Sequence, residues 1–178
     1  MAWASDAIPY GVADAKVYVL DSSDVPGSAV DIPGVRSVTF TEESDSDEWE
    51  GDNSVIATTR QPTSLTGSVE LGIIKSTVFA AFMGGTASTS GSTPNQITTL
   101  ASASEKGTRY VQIIAQAPDK LTNGSAYRVE LLKVQVTGGP DENMTVNDWN
   151  GPTLDFTGIA KSGTLLNRKW YETEAVIT

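Results

Sequence analysis

Apolar and polar residues alternate along much of the chain with a period of two, the pattern of strands that bury one face. Leu65, Gly67, Val69 and Leu71 share one face of such a strand, and Thr66, Ser68 and Glu70 share the other. A second strand begins at Val38-Thr39-Phe40, after a turn at Ile32-Pro33-Gly34. Others are predicted at Lys16 to Leu20, at Arg109 to Gln116, and at Thr153 to Ala160 with Leu154 and Phe156 inward. From Tyr127 to Val136 the alternation changes phase. Tyr127, Val129 and Leu131 fall on one face, then Leu132, Val134 and Val136 on the opposite one. Such a slip predicts a β-bulge or a strand that passes between two packing environments.

One segment has a helical period instead. Ile74, Val78, Ala81 and Phe82 recur at helical spacing, Ser76 or Thr77 offers an N-cap, and Gly84-Gly85 stops the run. A helix over 74–83 is predicted. One short helix among six or more strands gives a mainly β fold, a single β-sandwich or barrel domain over 1–178 with a flanking α-helix. Several segments fall outside the expected core. The acidic run 41–53, TEESDSDEWEGDN, reads as a long loop, and Thr86 to Asn95 as a small polar loop. Residues 1–9 and 167–178 read as N-terminal and C-terminal arms. Long excursions inside a compact domain tend to be functional.

A chain of 178 residues is long enough to bury a core without staples. Twelve basic residues against 22 acidic ones give a net charge of -10, which opposes an electrostatic grip on DNA or anionic lipid. No window approaches the ~20 apolar residues of a membrane helix. The first residues lack the basic stretch and apolar run of a signal peptide, so the starting expectation is a soluble protein of the cell interior.

Histidine and cysteine are both missing, which removes Ser-His-Asp and Cys-His catalysis, the usual zinc sites and disulfides. No phosphate-cradling glycine loop and no G-x-S-x-G elbow occurs. Nothing singles out two carboxylates for glycoside hydrolysis, and aromatics to line a sugar cleft are few. The expectation is a protein that is not an enzyme, with no catalytic residue, metal or cofactor. Asp45-Ser46-Asp47 starts like a calcium loop, but Gly51 is one place late and Ile56 stands at the twelfth position. Asp141, Asn143, Thr145 and Asn147 alternate suggestively, yet their twelfth position is Pro152. Both read as solvated acidic segments. The sequons at Asn123 and Asn143 read as incidental without a secretory signal.

The acidic run holds Glu42, Glu43, Asp45, Asp47, Glu48, Glu50 and Asp52, with Trp49 among them. A large amphipathic ring in an exposed segment is a typical interface anchor. Trp3, Trp149 and Trp170 also lie near loops or termini, and together they point to contacts between subunits.

The order of these segments resembles a known family. An N-terminal arm is followed by VRSVTF, the acidic excursion with EWEGDN, SLTGSVELG and the helix STVFAAFMGG. RYVQIIAQA, AYRVELLKVQV and LDFTGIA complete the series. Roughly from Val17 to Ala160, the chain resembles the major tail tube protein of long-tailed, siphovirus-type bacteriophages. The resemblance implies a self-assembling subunit that closes into hexameric rings stacked as a tube. It implies a channel that conducts DNA and tape-measure protein without binding them, and terminator and tip proteins as further partners. It implies a place in the virion tail after assembly in the host cytoplasm, with no membrane insertion by this subunit. By position, Glu42 to Asn53 corresponds to the inter-ring loop, which makes its seven carboxylates and Trp49, with Trp3 and Trp170, candidate inter-ring or inter-subunit contacts. Thr66, Ser68 and Glu70 are the candidates to face the channel. Arg60, Lys106, Arg109 and Arg168 are candidate basic partners for the acidic run. The competing reading is a β-sandwich binding or adhesion module, or a virion decoration protein.

Overall fold

The alternating segments form strands that pair antiparallel, and the one helix among the described residues covers part of their apolar side. The computed structural model describes residues 11, 12, 14–51, 54–73, 75–101, 109–118, 125–138, 151–161 and 167–171. Expectations for residues 1–9, Asp52, Ile74, Lys106, the two sequon asparagines, 141–147, Trp149 and 172–178 lie outside them. In chain order the elements are β1 (Asp14–Leu20), β2 (Pro26–Asp31), β3 (Val35–Gly51), β4 (Ser54–Leu71), α1 (Ser76–Met83), β5 (Thr86–Ser90) and β6 (Ile97–Ala101). Then come β7 (Val111–Pro118), β8 (Ser125–Val136), β9 (Thr153–Gly158) and β10 (Asn167–Tyr171).

Eight strands make one large sheet in the order β2-β1-β7-β8-β9-β4-β3, with β10 also on β8; β5 and β6 form a separate two-stranded sheet. The fold is mainly β, as the alternation implied. Leu65, Val69, Leu71, Leu154 and Phe156 are buried on the inner face, together with Val17, Ile113 and Leu131. Val78, Phe79, Ala81 and Phe82 of α1 pack into the same core. Val38 and Phe40 near the far edge of the sheet share a cavity with Ala115, Ala117, Tyr127 and Val129 of the central strands. The sheet therefore coils so that β3 faces β7 and β8, with the core between.

The phase slip in β8 is a bulge. Val111 pairs with Val134 and Ile113 with Leu131, so Gln112 alone opposes Leu132 and Lys133. The extra residue returns Val134 to the side that Leu131 occupies, and both are 0% exposed within the core. The strand also changes neighbour at this point. Tyr127 to Leu131 pair with β10, whereas Val134 to Val136 pair with β9.

Several boundaries differ from the sequence-based expectation. The acidic run is paired strand through Gly51, not loop: β3 and β4 form a hairpin whose ladder runs from Val35↔Leu71 to Gly51↔Ser54. Asp, Glu and Ser disfavour strands, but the facing limb supplies Val55, Thr58, Thr59 and Thr63, and pairing satisfies the backbone of both. Thr86 to Ser90 likewise pair with β6 across a turn at Gly91, where φ is +82°. The helix is capped by extended Lys75, with no side-chain cap from Ser76 or Thr77, which lie inside its first turn. Its C-terminal stop at Gly84 is as expected, with φ +80° and an N–H donated to the Ala80 carbonyl at 3.1 Å. The described part of the C-terminal arm, Asn167 to Tyr171, is a strand docked on β8.

Candidate assembly surfaces

The hairpin divides into a root and a projecting ribbon. Leu65 to Glu70 of β4 pair with β9 on one side and β3 on the other. Beyond Glu43↔Ser64, among the described residues, the two limbs form a ladder with each other from Ser44↔Pro62 to Gly51↔Ser54 and with no other strand. Eight residues at ~3.3 Å each carry this ribbon about 26 Å from the body. A two-stranded ribbon is marginally stable alone in water, and a strand edge that no neighbour covers is a ready site for pairing. Asp45, Asp47, Glu48, Trp49 and Glu50 all sit on it, with Trp49 opposite Ala57 in the register, and the Glu48 side chain is exposed.

The root is tied down. Glu42 accepts from Lys169 Nζ at 3.0 Å and from the Asn167 side-chain amide, and the Lys169 ammonium lies 5.3 Å from the centre of the Phe40 ring. Glu43 accepts from the Ser64 hydroxyl at 3.1 Å. Two strands that share no ladder, β3 and β10, are thereby joined through side chains. The sequence placed Lys169 and Asn167 in a free arm and missed this role. Only the run of basic and aromatic residues in NRKWY hinted that the segment had a partner. Trp170 lies on β10 opposite Arg128. Of the expected basic partners, Arg109 instead donates to the Ala80 carbonyl at 2.9 Å, closing the end of α1.

Thr66, Ser68 and Glu70 occupy the outward side of β4. Thr39 and Ser68 share a hydroxyl hydrogen bond at 2.8 Å. Glu70 meets Arg36 at 2.9 Å and accepts from the Ser37 hydroxyl at 3.2 Å. This face is polar, half-exposed and carries both signs of charge.

A third surface was not anticipated. On the outer side of β7 and β8, Gln112, Gln116 and Glu130 are buried among Ile114 and Leu132, which belong to no part of the inner core. Gln112 donates its amide to Glu130, and its own Oε1 has no hydrogen-bond partner among the described residues. Beside this patch, burial pushes the Asp14 carboxyl above its usual range, with the Asp31 charge adding to the rise and Lys16 opposing it. Polar residues alternating inside otherwise apolar strands, Gln112 with Gln116 and Arg128 with Glu130, were the available signal.

Among the described residues, no cluster of three or more acidic side chains is arranged to hold a metal, and no helix is long and apolar enough to cross a membrane.

No protein-family model and no curated protein matches this sequence. Solved structures do match in fold. A chain of the anti-feeding prophage cap that terminates its tube has a TM-score of 0.50 and 10% identity, covering 96% of this chain and 99% of that one. A chain in the extended sheath-tube complex of an extracellular contractile injection system gives 0.49 and 12% over 96% and 99%. A chain of the six-fold-symmetrised anti-feeding prophage baseplate gives 0.47 and 12% over 93% and 98%. The arrangement of strands and flanking helix in this chain is thus one that also occurs in a chain of the anti-feeding prophage cap.

Proposed function

We propose that the chain is a structural subunit of a phage or phage-like tail tube, assembling with copies of itself into stacked hexameric rings. The observation that carries this reading is the projecting β3–β4 ribbon. It extends about 26 Å beyond the last position that β9 pairs with, and among the described residues no third strand joins it, a form that gains its stability from a partner. The whole-chain likeness in fold to a tube-terminating cap component supports the same reading, because nearly all of both chains is matched. In such a tube the ribbon, with its acidic residues and Trp49, reaches a neighbouring subunit or ring, and Trp170 adds a second contact. A heterologous contact that closes by rotation makes a ring, and stacking makes the tube. The net charge of -10 suits a channel through which DNA and a tape-measure protein pass without being held. Terminator and tip proteins would cap the two ends.

The test is electron microscopy of the purified chain at high concentration, beside a variant in which Ser44 to Thr63 are replaced by Asn-Gly. That replacement closes the hairpin at Glu43↔Ser64 with a tight turn and removes both limbs together. Hollow tubes from the full chain, and folded monomers from the variant, are expected. Tubes that form equally well without the ribbon would remove its assigned role. Persistent monomers of the full chain that bind a glycan or a virion surface would favour an adhesion or decoration module.

A further inference from the structure

The hairpin of β5 and β6 is exposed along almost its whole length. From Thr86 to Ala101 only Ala87 and Leu100 are half-buried, and Leu100 packs against the core. The opposite face presents Thr86, Ser88 and Ser90 on β5, with Ile97 and Thr99 on β6. Ile97 is 64% exposed, the most of the large apolar side chains among the described residues. Within those residues β5 and β6 pair only with each other, which leaves an open edge on each.

This is also where charge is missing. None of the chain's 22 acidic and 12 basic residues lies between Ser76 and Ser104. Copies that each carry a net charge of -10 repel one another, so contact between them is least opposed on such a surface. Interface centres are likewise depleted in charged residues.

A second copy offers a matching edge. β2 ends the large sheet and, among the described residues, pairs only with β1. It is exposed from Pro26 to Ala29, and Asp31 is its one charged residue. Pro26 has no N–H to give, so pairing is confined to Gly27 to Asp31, which matches the length of β6, Ile97–Ala101. Val25, 55% exposed, stands just before β2 as Ile97 stands at the start of β6. At the sheet's other end the root of β3 carries Arg36, Glu42 and Glu43 instead.

We propose that the β6 edge of one copy pairs with the β2 edge of a second copy, joining two exposed edges that together carry a single charge. The contact is heterologous, so each copy keeps one free edge for the next and the row can close as a ring. The choice of β2 over a second hairpin rests on the ring assembly proposed above.

The chain has no cysteine, so single thiols report the contact. Ser28→Cys and Thr99→Cys chains are prepared separately, mixed at high concentration and treated with a short bis-maleimide. The mixture is expected to yield cross-linked pairs several-fold above Thr99→Cys mixed with Thr41→Cys, an exposed position on β3, and neither variant should cross-link alone. Thr99→Glu should raise the concentration needed for assembly by roughly tenfold or more, and Ser28→Lys in the same chain should restore most of it. Urea midpoints equal to that of the wild type check that these variants are folded. Cross-linking of Thr99→Cys with itself would mean that hairpin meets hairpin and would overturn the proposal, as would unchanged assembly of Thr99→Glu. Tubes without the mixed cross-link would overturn this contact and leave the tube reading standing. The mixed cross-link without tubes would uphold the contact and remove that reading, and chains that never associate would overturn both.

Discussion

Gly67 offers a direct measure of how tightly β3, β4 and β9 are fitted together. It lies on the inner face of β4, between Phe40 on β3 and Phe156 on β9 in the register. A Cβ there would stand 2.2 Å from the Thr39 carbonyl oxygen, 2.5 Å from Phe156 Cζ and 2.8 Å from Cε2. Ordinary carbon contacts are about 3.5–4.0 Å, so Gly67→Ala requires movement of roughly 1 Å or more. The Phe156 ring is buried with little room to retreat, and the carbonyl belongs to a ladder that must open to yield. Overpacking of a core costs ~1–3 kcal/mol, and weakening a ladder hydrogen bond adds about 1 kcal/mol. A loss of about 3 kcal/mol is expected. With an m-value of about 2 kcal/mol/M, that lowers the urea midpoint by about 1.5 M. Equilibrium unfolding must be followed at dilutions where the chain is monomeric, because assembly would add its own stabilisation. Adding Phe156→Leu to Gly67→Ala should recover about 1 kcal/mol of coupling by relieving the ring but not the carbonyl. A Gly67→Ala loss below ~0.5 kcal/mol at an unchanged m-value would refute the close approach.

Three further outcomes follow from the charged groups. Lys133 meets Asp24 at 2.7 Å and lies 4.3 Å from the Tyr110 ring, with side chains 16% and 28% exposed for Lys133 and Asp24; Lys133→Met should cost about 1–2 kcal/mol, and Asp24→Asn in the same chain should return part of it in a double-mutant cycle. Asp14 holds its proton more tightly folded than unfolded, so its share of stability falls as pH rises above the ordinary value of 3.8; Asp14→Asn should be more stable than wild type at pH 7, with the gap closing as the pH is lowered, in pH-dependent thermal melts. Glu70→Lys places a cation beside Arg36 on a half-exposed face and should change stability by only about 0–1 kcal/mol, yet it should slow DNA release from assembled particles if that face lines the channel; unchanged release kinetics would place the channel elsewhere.

The inner half of β4 was legible in the sequence because one face meets a core and the other meets solvent, which writes a period of two into Leu65 to Leu71. The same strand's outer half was not, since Ser54 to Thr63 show no alternation of apolar and polar residues. The acidic limb opposite looks like a loop for the same reason: what holds Asp45 or Glu48 in a strand is the backbone of Gln61 or Thr58, some ten or more residues away, and not its own propensity. β10 escaped notice because it is five residues long and meets only half of β8. The bulge in β8 was visible as a phase slip between Leu131 and Leu132, but not its direction. Only the pairing shows that it keeps Val134 in the core while Lys133 turns to Asp24.

That bulge links the core to the ribbon. Because β8 shifts by one residue there, its lower half is released from β9 and left open to β10, which occupies Tyr127 to Leu131. β10 in that place brings Lys169 and Asn167 to Glu42, two residues before the ribbon begins at Ser44. The ion pair is half-exposed and adds little stability, ~1 kcal/mol at most. Its consequence is geometric: it fixes the root of a lever about 26 Å long. A rotation of a few degrees at Glu42 displaces the far end, near Gly51, by more than an ångström. In the assembly proposed for this chain, partner contacts at the end of that lever would require a firmly held root, and β10 supplies that hold from outside the β3–β4 ladder.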